Sequence, residues 1–358
     1  MKKLFFKTIR SVISLFLFIA IIIFSSLKIG FFSFIGNEPT KTETLLYLMS
    51  LEHRVLHNAM EFEKRSISKE LIELFTNVNV TDMKTLLISG VPGLYVMSPK
   101  IILAGEGSDF TNLPIESPPP PDFYEEIETE APKEHVIQTD DFKVLIYHSH
   151  TWESFLPLLD GVKDPNQASH REKNITLVGK RLGEKLEEKG IKTLVDTTDI
   201  QAILKQNNKE YYQSYEASRE QVTKVMKQND SIQLVFDLHR DSQRKQVTTT
   251  TIEGETYAKS IFVIGTGHKN YDKNLQFAKK LESLLQKKYP TLSRGIYEKP
   301  KQGGNNGVYN QDLIDKGLLI EIGGVDNTLE ELYRTADAMA EIISEYYWSE
   351  IEVKEVNK

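Results

Sequence analysis

The sequence predicts an α/β protein built on a largely parallel, twisted sheet flanked by helices, and three observations carry this prediction. From residue 142 onward, short apolar runs alternate with amphipathic helical stretches, the pattern of layered α/β folds. A charge-free apolar run lies near the N terminus, and a stretch rich in proline and glutamate lies between the two. We therefore divide the chain into an N-terminal tip and transmembrane anchor (1–36), a small region (37–113), a linker (114–139), the main domain (140–350) and a tail (351–358).

The composition is that of a folded protein and excludes several kinds of site. The chain has 358 residues, of which 40% are hydrophobic and 27% charged. Its net charge of -7 argues against binding nucleic acid through phosphate contacts. It has no cysteine, which excludes disulfides, thiolate nucleophiles and zinc bound by cysteine. Any metal site must therefore use histidine, aspartate and glutamate.

Residues 11–27 form an uncharged, mostly apolar run that predicts a membrane anchor. As a helix these residues would be about 25 Å long, just enough to span a bilayer. Positive residues precede the run, so we expect the rest of the chain to lie outside the cytoplasm. A cleaved signal peptide is the alternative, but no A-x-A-like site follows the run. This favours an uncleaved, single-pass anchor.

The next two segments carry no recognisable chemistry. Residues 37–113 predict a small, mostly helical region outside the cytoplasm, because leucines recur near helical spacing from Leu45 onward. Residues 114–139 hold 6 of the 13 prolines together with several glutamates, a composition that cannot bury a core. We expect this segment to be a stiff, extended spacer.

The main domain supplies the alternating elements. Strands are predicted at 142–147, 192–196, 232–238, 260–265 and 317–323. Helices are predicted near 172–189, 211–228, 271–288 and 328–347. In the first helix, Ile175, Val178, Leu182 and Leu186 mark one buried face. In such folds, ligand sites lie beyond the carboxyl ends of the strands.

Unusual polar residues stand at several of these strand ends. His148 and His150 follow the first strand, and His239 follows the third. Glu321 interrupts the last apolar strand, where a buried charge is costly unless it is paired, and Glu172 opens the first helix. Taken singly, each residue has an ordinary structural explanation, such as a hydrogen-bonded loop histidine or a helix-dipole glutamate. Together they favour a catalytic Zn²⁺ site with two histidines and one glutamate.

Longer motifs resemble a known family. The order of histidines and glutamates resembles the zinc-dependent N-acetylmuramoyl-L-alanine amidases, and the chain more closely resembles the stage II sporulation protein P family of peptidoglycan hydrolases, over its whole architecture. The motifs that carry the resemblance are YHSHTWESFLP (147–157), YYQSYEASR (211–219), DLHRDS (237–242), GTGHKNYDKNLQFA (265–278), and YNQDL followed by LLIEIGGVDNTLEE (309–331).

The resemblance implies site residues position by position. It implies that the metal is bound by His150, Glu172 and His239, with Glu321 as the catalytic acid–base. His148 is a rival for the first ligand, because the glycine-rich loop of the amidases is missing here. Where the amidases have an aromatic residue after E-x-G, this chain has Gly324.

The chemistry expected of these groups is hydrolysis of an amide bond. Zinc lowers the pKa of water and polarises the scissile carbonyl, while Glu321 accepts the proton and later delivers it to the leaving amine. Glu153 is expected to orient an imidazole. Arg240 either stabilises the oxyanion or a substrate carboxylate, or forms a structural ion pair with Asp237 or Asp241. His268 either contacts substrate or is an ordinary loop histidine.

The resemblance also implies a biological role. It implies a peptidoglycan hydrolase with amidase and cross-link endopeptidase activity that thins septal wall and drives engulfment of the forespore. Expected partners are peptidoglycan, the sporulation lytic transglycosylase (stage II sporulation protein D) and the membrane protein M of that stage. Two alternatives remain open: a zinc carboxypeptidase or endopeptidase acting on peptides only, and a wall-binding scaffold with a decayed metal site.

Overall fold

The structure, a computed structural model, describes residues 100–105, 108, 112–116, 140–301 and 305–352. All of them belong to one compact unit, Pro99–Lys358. The predicted anchor (1–36), most of the region 37–113 and most of the linker lie outside the described residues. Within the ranges described, no helix combines the length and the apolarity needed to cross a bilayer.

The described residues form a large sheet and a small hairpin. Their strands are β1 (Lys100–Ala104), β2 (Val144–Tyr147), β3 (Thr193–Val195), β4 (Leu234–Asp241), β5 (Thr249–Ile252), β6 (Glu255–Ala258), β7 (Ser260–Gly265), β8 (Ser293–Lys299) and β9 (Gly317–Gly324). The large sheet has the order β1-β8-β7-β9-β4-β2-β3, and β5 pairs with β6. Glu253 and Gly254 both have positive φ at the tip of this hairpin, as its two-residue turn requires.

The large sheet is mostly parallel, as predicted. Strands β3, β2, β4 and β9 run parallel to one another, and β7 runs parallel to β8. The exceptions are β7 against β9 and β1 against β8, which pair antiparallel. Because β7 runs antiparallel to its neighbour β9, the carboxyl ends of these two strands point in opposite directions along the strand axis.

Three long helices cover one face of the sheet. The helices are α1 (Thr176–Glu188), α2 (Ile200–Gln206), α3 (Ser214–Gln228), the short α4 (Lys245–Thr248), α5 (Tyr271–Lys288) and α6 (Leu329–Tyr346). The apolar sides of α1, α5 and α6 pack on alternate residues of the strands, such as Phe236 and Ile320, and form the main core. Thr328 and Glu331 form a capping box at the start of α6, which satisfies backbone donors there.

Helix α3 covers part of the opposite face. Its residues Val222 and Val225 pack on Leu145 and Val235, and Tyr215 packs on the β7–β8–β9 side. Successive strand residues point to opposite faces, so each central strand serves both layers. The face under α3 is the one that carries the polar residues described below.

The predicted elements are found, and several were missed. The five predicted strands correspond to β2, β3, β4, β7 and β9, and the four predicted helices to α1, α3, α5 and α6. The predicted boundary at 113/114 is corrected. Residues 100–104, assigned to the preceding region, form β1 of the large sheet, and 114–116, assigned to the spacer, contact the end of β4. Helix α1 begins at Thr176, so Glu172 lies in the preceding loop.

Candidate metal centre and active site

Two neighbouring strands hold one half of the site. His239 on β4 and Glu321 on β9 are direct partners in the parallel pairing of these strands. In a parallel pair, residues directly opposite each other point to the same face of the sheet. Both side chains are buried. The register of the two strands therefore holds an imidazole beside a carboxyl group.

The loop after β2 holds the other half. His150 and Glu153 lie in a turn closed by the hydrogen bond from the Glu153 amide to the His150 carbonyl, 3.2 Å long. The backbone amide of Arg240 donates to Glu153 Oε2 at 2.9 Å. The Arg240 guanidinium donates to the carbonyls of Ser154 and Ala168. Arg240 therefore fastens this loop to β4.

His150, Glu153 and His239 form the candidate metal centre. Each offers one potential ligand atom, and these atoms lie within 4.8 Å of one another. Glu153 Oε1 lies 3.4 Å from His150 Nδ1, and Glu153 Oε2 lies 3.6 Å from His239 Nδ1. Zinc–ligand bonds of about 2.0–2.1 Å in a tetrahedron place ligand atoms about 3.4 Å apart. The two glutamate–histidine separations are therefore close to those around a tetrahedral zinc ion.

The surroundings of the histidines agree with this fit. Among the described residues, no hydrogen-bond partner is found for the buried Nδ1 of His150. On the other side of His239, Asp237 Oδ1 lies 3.1 Å from Nε2, where the second nitrogen of a metal-binding histidine commonly meets a carboxylate. Asp237 is itself positioned by the amide and hydroxyl of Ser149. Sequence reasoning had not proposed Asp237 as an orienting residue.

The charges of the cluster support one another. Burial lowers the pKa of His239, but Asp237 and Glu153 outweigh it and raise this pKa well above its usual range. Burial raises the pKa of Glu153, but His239 and His150 outweigh it and lower this pKa well below its usual range. In the metal-free cluster a protonated His239 therefore balances the Glu153 carboxylate, and a metal ion would have to displace that proton in order to bind.

Glu321 has the opposite character. Burial raises its pKa to about 8; Glu153 and Asp241 add to the shift, while His239 and Lys299 oppose it. Among the described residues, its Oε2 has no hydrogen-bond partner. A carboxyl group whose pKa lies near neutrality can both accept and donate a proton under physiological conditions. The pKa of Glu153 is therefore lowered while that of Glu321 is raised. Such opposite shifts are typical of a site in which one carboxyl group binds a ligand and the other transfers protons.

His148 lies next to the cluster in sequence but faces elsewhere. Its Nδ1 is 3.2 Å from the Asp196 carbonyl, and its Nε2 faces α1 at Gly179, where a Cβ atom would come within 2.4 Å of it. Burial lowers the pKa of His148 to about 4, so the ring is neutral at physiological pH. Of the two candidates for the first ligand, the structure brings only His150 into the cluster.

Three other predicted site residues lie outside the candidate cluster. Glu172 is exposed in the loop before α1 and does not belong to the candidate cluster, whereas Glu153, predicted to orient an imidazole, does. The guanidinium of Arg240 donates to the two loop carbonyls described above, and also to the Asp241 carbonyl and the Ser242 hydroxyl. His268 is half-buried in the loop after β7 and does not belong to the cluster.

A cleft of about 700 Å³ opens beside His150. Tyr211 stacks on the His150 ring at 4.9 Å, and Tyr215 contacts the rings of both His150 and His239. Asn305 and Asn306 line the opposite wall. The sequence does not single out Tyr211, whose buried position follows from a one-turn 3₁₀ helix ahead of α3.

Comparison with known proteins agrees with the predicted resemblance. The family model of stage II sporulation protein P matches residues 121–344. A protein of Bacillus subtilis (strain 168) described as stage II sporulation protein P is 41% identical over 335 residues, which cover 88% of this chain and 83% of that protein. The chain therefore belongs to the stage II sporulation protein P family.

Proposed function

We propose that this protein is a zinc-dependent peptidoglycan hydrolase that cleaves the amide bond between N-acetylmuramic acid and L-alanine. The observation that carries the proposal is the convergence of His150, Glu153 and His239 beside Glu321. Membership of the sporulation family supports peptidoglycan as the substrate and engulfment of the forespore as the occasion. Cleavage of peptide cross-links by the same site is part of the proposal.

The chain's own residues have separate tasks in this reaction. His150, Glu153 and His239 would hold the ion, and Asp237 and Arg240 keep two of them in place. Zinc, when bound, supplies a Lewis acid that polarises the scissile carbonyl and lowers the pKa of water. Glu321 accepts the proton of the attacking water and returns it to the leaving nitrogen. No covalent bond between enzyme and substrate is required.

The location and partners follow from the sequence and remain proposals. The apolar run at residues 11–27 supports a single-pass anchor with the catalytic domain outside the cytoplasm. There the enzyme would act on septal wall together with the sporulation lytic transglycosylase and the membrane protein M of that stage.

The test is digestion of purified peptidoglycan by the full-length protein, followed by mass spectrometry of the released fragments. We expect free stem peptides and glycan strands with unsubstituted muramic acid, and no release after zinc is chelated. Glu321→Gln should retain zinc and lose at least about a hundredfold in rate, since it removes the acid–base group. Cleavage within the peptides alone would make the enzyme a peptidase, and no cleavage with zinc bound would make it a scaffold.

A further inference from the structure

A buried lysine contacts a glutamate that lines the cleft. Lys299 is the last residue of β8 and is 5% exposed. Its Nζ lies 5.7 Å above the ring of Tyr309, which is a favourable but weak contact for an ammonium group. Burying an ammonium group is costly unless an anion accompanies it. Among the described residues, the one ion pair of Lys299 is with Glu116, whose Oε2 lies 3.5 Å from Nζ.

Glu116 comes from outside the sheet and reaches into the cleft. The backbone before it is fastened to the end of β4, because the Ile115 amide donates to Asp241 Oδ1 and the Ile115 carbonyl accepts from the Ser242 amide. The carboxylate of Glu116 accepts from the Tyr215 hydroxyl at 3.4 Å and lies 3.9 Å from His150 Nε2. Lys299 and Tyr215 thus hold a carboxylate directly beside the candidate metal centre.

These contacts are loose compared with a permanent buried pair in the same region. Asp241 and Arg294 are both fully buried, and their side chains are 2.5 Å apart. The Glu116 side chain is 35% exposed, and its contacts lie at the long end of hydrogen bonding. Lys299 and Tyr215 are buried, whereas the Glu116 carboxylate that contacts them is partly exposed.

We propose that Lys299 and Tyr215 form a carboxylate-binding subsite, which Glu116 fills in this conformation and which a carboxylate of a peptidoglycan fragment takes in its place. The inference rests on the proposed function. Fragments of the wall carry carboxylates on both sides of the scissile amide, on the glutamyl residue of the stem peptide and on the lactyl group of released muramic acid. Glu116 is then an internal competitor for substrate or product.

The test measures binding by the full-length protein from which metal has been removed, so that a carboxylate cannot bind to the ion. The probes are the dipeptide L-alanyl-D-glutamate, its diamide, and N-acetylmuramic acid, each titrated in a calorimeter. Glu116→Gln should bind at least one of the two acids about tenfold more tightly than the wild type, because the internal occupant is weakened. Binding of the diamide should not change. The acid that responds identifies the source of the carboxylate.

The subsite residues provide the second arm. In the Glu116→Gln background, Lys299→Gln should reduce the affinity for the responding acid about tenfold or more, since it removes a charged donor. Tyr215→Phe keeps the buried ring and should reduce it a few-fold, which keeps the test decisive if Lys299→Gln does not fold. Glu188→Gln is the matched control, because Glu188 also contacts one lysine but lies on the surface of α1.

Two results would overturn the proposal. One is equal binding of both acids by wild type and Glu116→Gln, and the other is an acid preference that survives both Lys299→Gln and Tyr215→Phe. Digestion of peptidoglycan is measured on the same preparations with zinc restored. Digestion without acid-dependent binding would overturn the subsite alone, whereas acid-dependent binding without digestion would overturn the proposed function alone.

Discussion

The two faces of the large sheet are built from the same strands and serve different ends. On β4, Leu234, Phe236 and Leu238 point into the core under α1, α5 and α6, while Asp237 and His239 point to the other side. On β9, Ile320 and Ile322 pack into that core, whereas Glu321 faces the site. Side chains alternate along a strand, so neighbouring residues point to opposite faces: one packs in the core and stabilises the fold, and the next belongs to the candidate site.

The separation has an energetic side. The helix-covered face buries apolar side chains, which favours folding by roughly 1.5–3 kcal/mol for each large residue. The site face buries ionisable groups, whose loss of hydration opposes folding unless each group finds a partner. The helix-covered face therefore stabilises the fold, whereas burial of Glu153 and Glu321 on the site face destabilises it in part.

The largest expected effect comes from the core face. Phe236→Ala should lower the free energy of unfolding by about 3–5 kcal/mol, because it removes a fully buried ring and leaves a cavity among α5 and the strands. Denaturant unfolding followed by circular dichroism measures this. Tyr212→Ala is the control, since that ring is 79% exposed and should change stability by less than about 1 kcal/mol. Equal losses in the two variants would contradict the assignment of the main core.

The next effect separates the two glutamates proposed as metal ligands. Glu153→Gln should weaken zinc binding at least about a hundredfold, because it removes the charged ligand between the two imidazoles. Glu172→Gln should leave zinc binding unchanged, because Glu172 is exposed outside the cluster. Competition for zinc with a chelating dye measures both. Loss of zinc in Glu172→Gln alone would restore the ligand set implied by the sequence resemblance.

The third effect concerns the charge of Glu321 in the metal-free protein. Its pKa of about 8 in the folded state exceeds the value of about 4.3 in the unfolded chain, so the neutral form favours folding. That contribution is fully present below pH 4 and is lost as the pH rises through 8. Glu321→Gln, which stays neutral, should therefore be more stable than the wild type at pH 9 by roughly 1–3 kcal/mol and show no such gain at pH 4.

Glu331→Gln is the control, because the pKa of Glu331 is shifted in the opposite direction from that of Glu321. Burial raises the pKa of Glu331, but the contacts with Lys245 and Asn327 outweigh burial and lower this pKa. Its contribution to stability is present at neutral pH and is lost on acidification. Glu331→Gln should therefore be less stable than the wild type at pH 9, and the difference should shrink in acid. A gain of stability at pH 9 in both variants would contradict the burial of a charged Glu321.

The smallest expected effect concerns the N-terminal cap of α6. Thr328→Ala removes the side-chain oxygen that caps α6 and should cost about 1 kcal/mol of unfolding free energy. Thr328→Ser keeps that oxygen and should cost much less. Thermal unfolding of the two variants measures the difference. Equal stability of the alanine and serine variants would show that the capping box contributes nothing.

The sequence predicted the elements that repeat a simple pattern and missed those that do not. Strands β2, β4, β7 and β9 each contain a run of at least three consecutive apolar residues. Strand β8 was missed because Arg294, Glu298 and Lys299 break its apolar pattern, although two of these charges are buried and paired. Strand β1 was missed because it is short and is separated from its partner β8 by most of the domain.

The site was predicted in part for a related reason. His239 and Glu321 stand at the ends of recognisable strands, so their meeting follows from sheet geometry. The choice between Glu153 and Glu172 depends on the path of a loop, which is determined by backbone hydrogen bonds such as those of Arg240. Glu116 was assigned to a spacer on composition alone.

The pairing of His239 with Glu321 across neighbouring strands has a mechanical consequence. Backbone hydrogen bonds between β4 and β9 hold these two residues side by side, whereas His150 and Glu153 lie on the connecting segment after β2. An ion bound by His150, Glu153 and His239 would add a further link between β4 and this segment, which Arg240 already fastens to β4. Loading with metal should accordingly slow amide hydrogen exchange in the segment around residues 149–154 and leave the exchange of β4 and β9 nearly as it was.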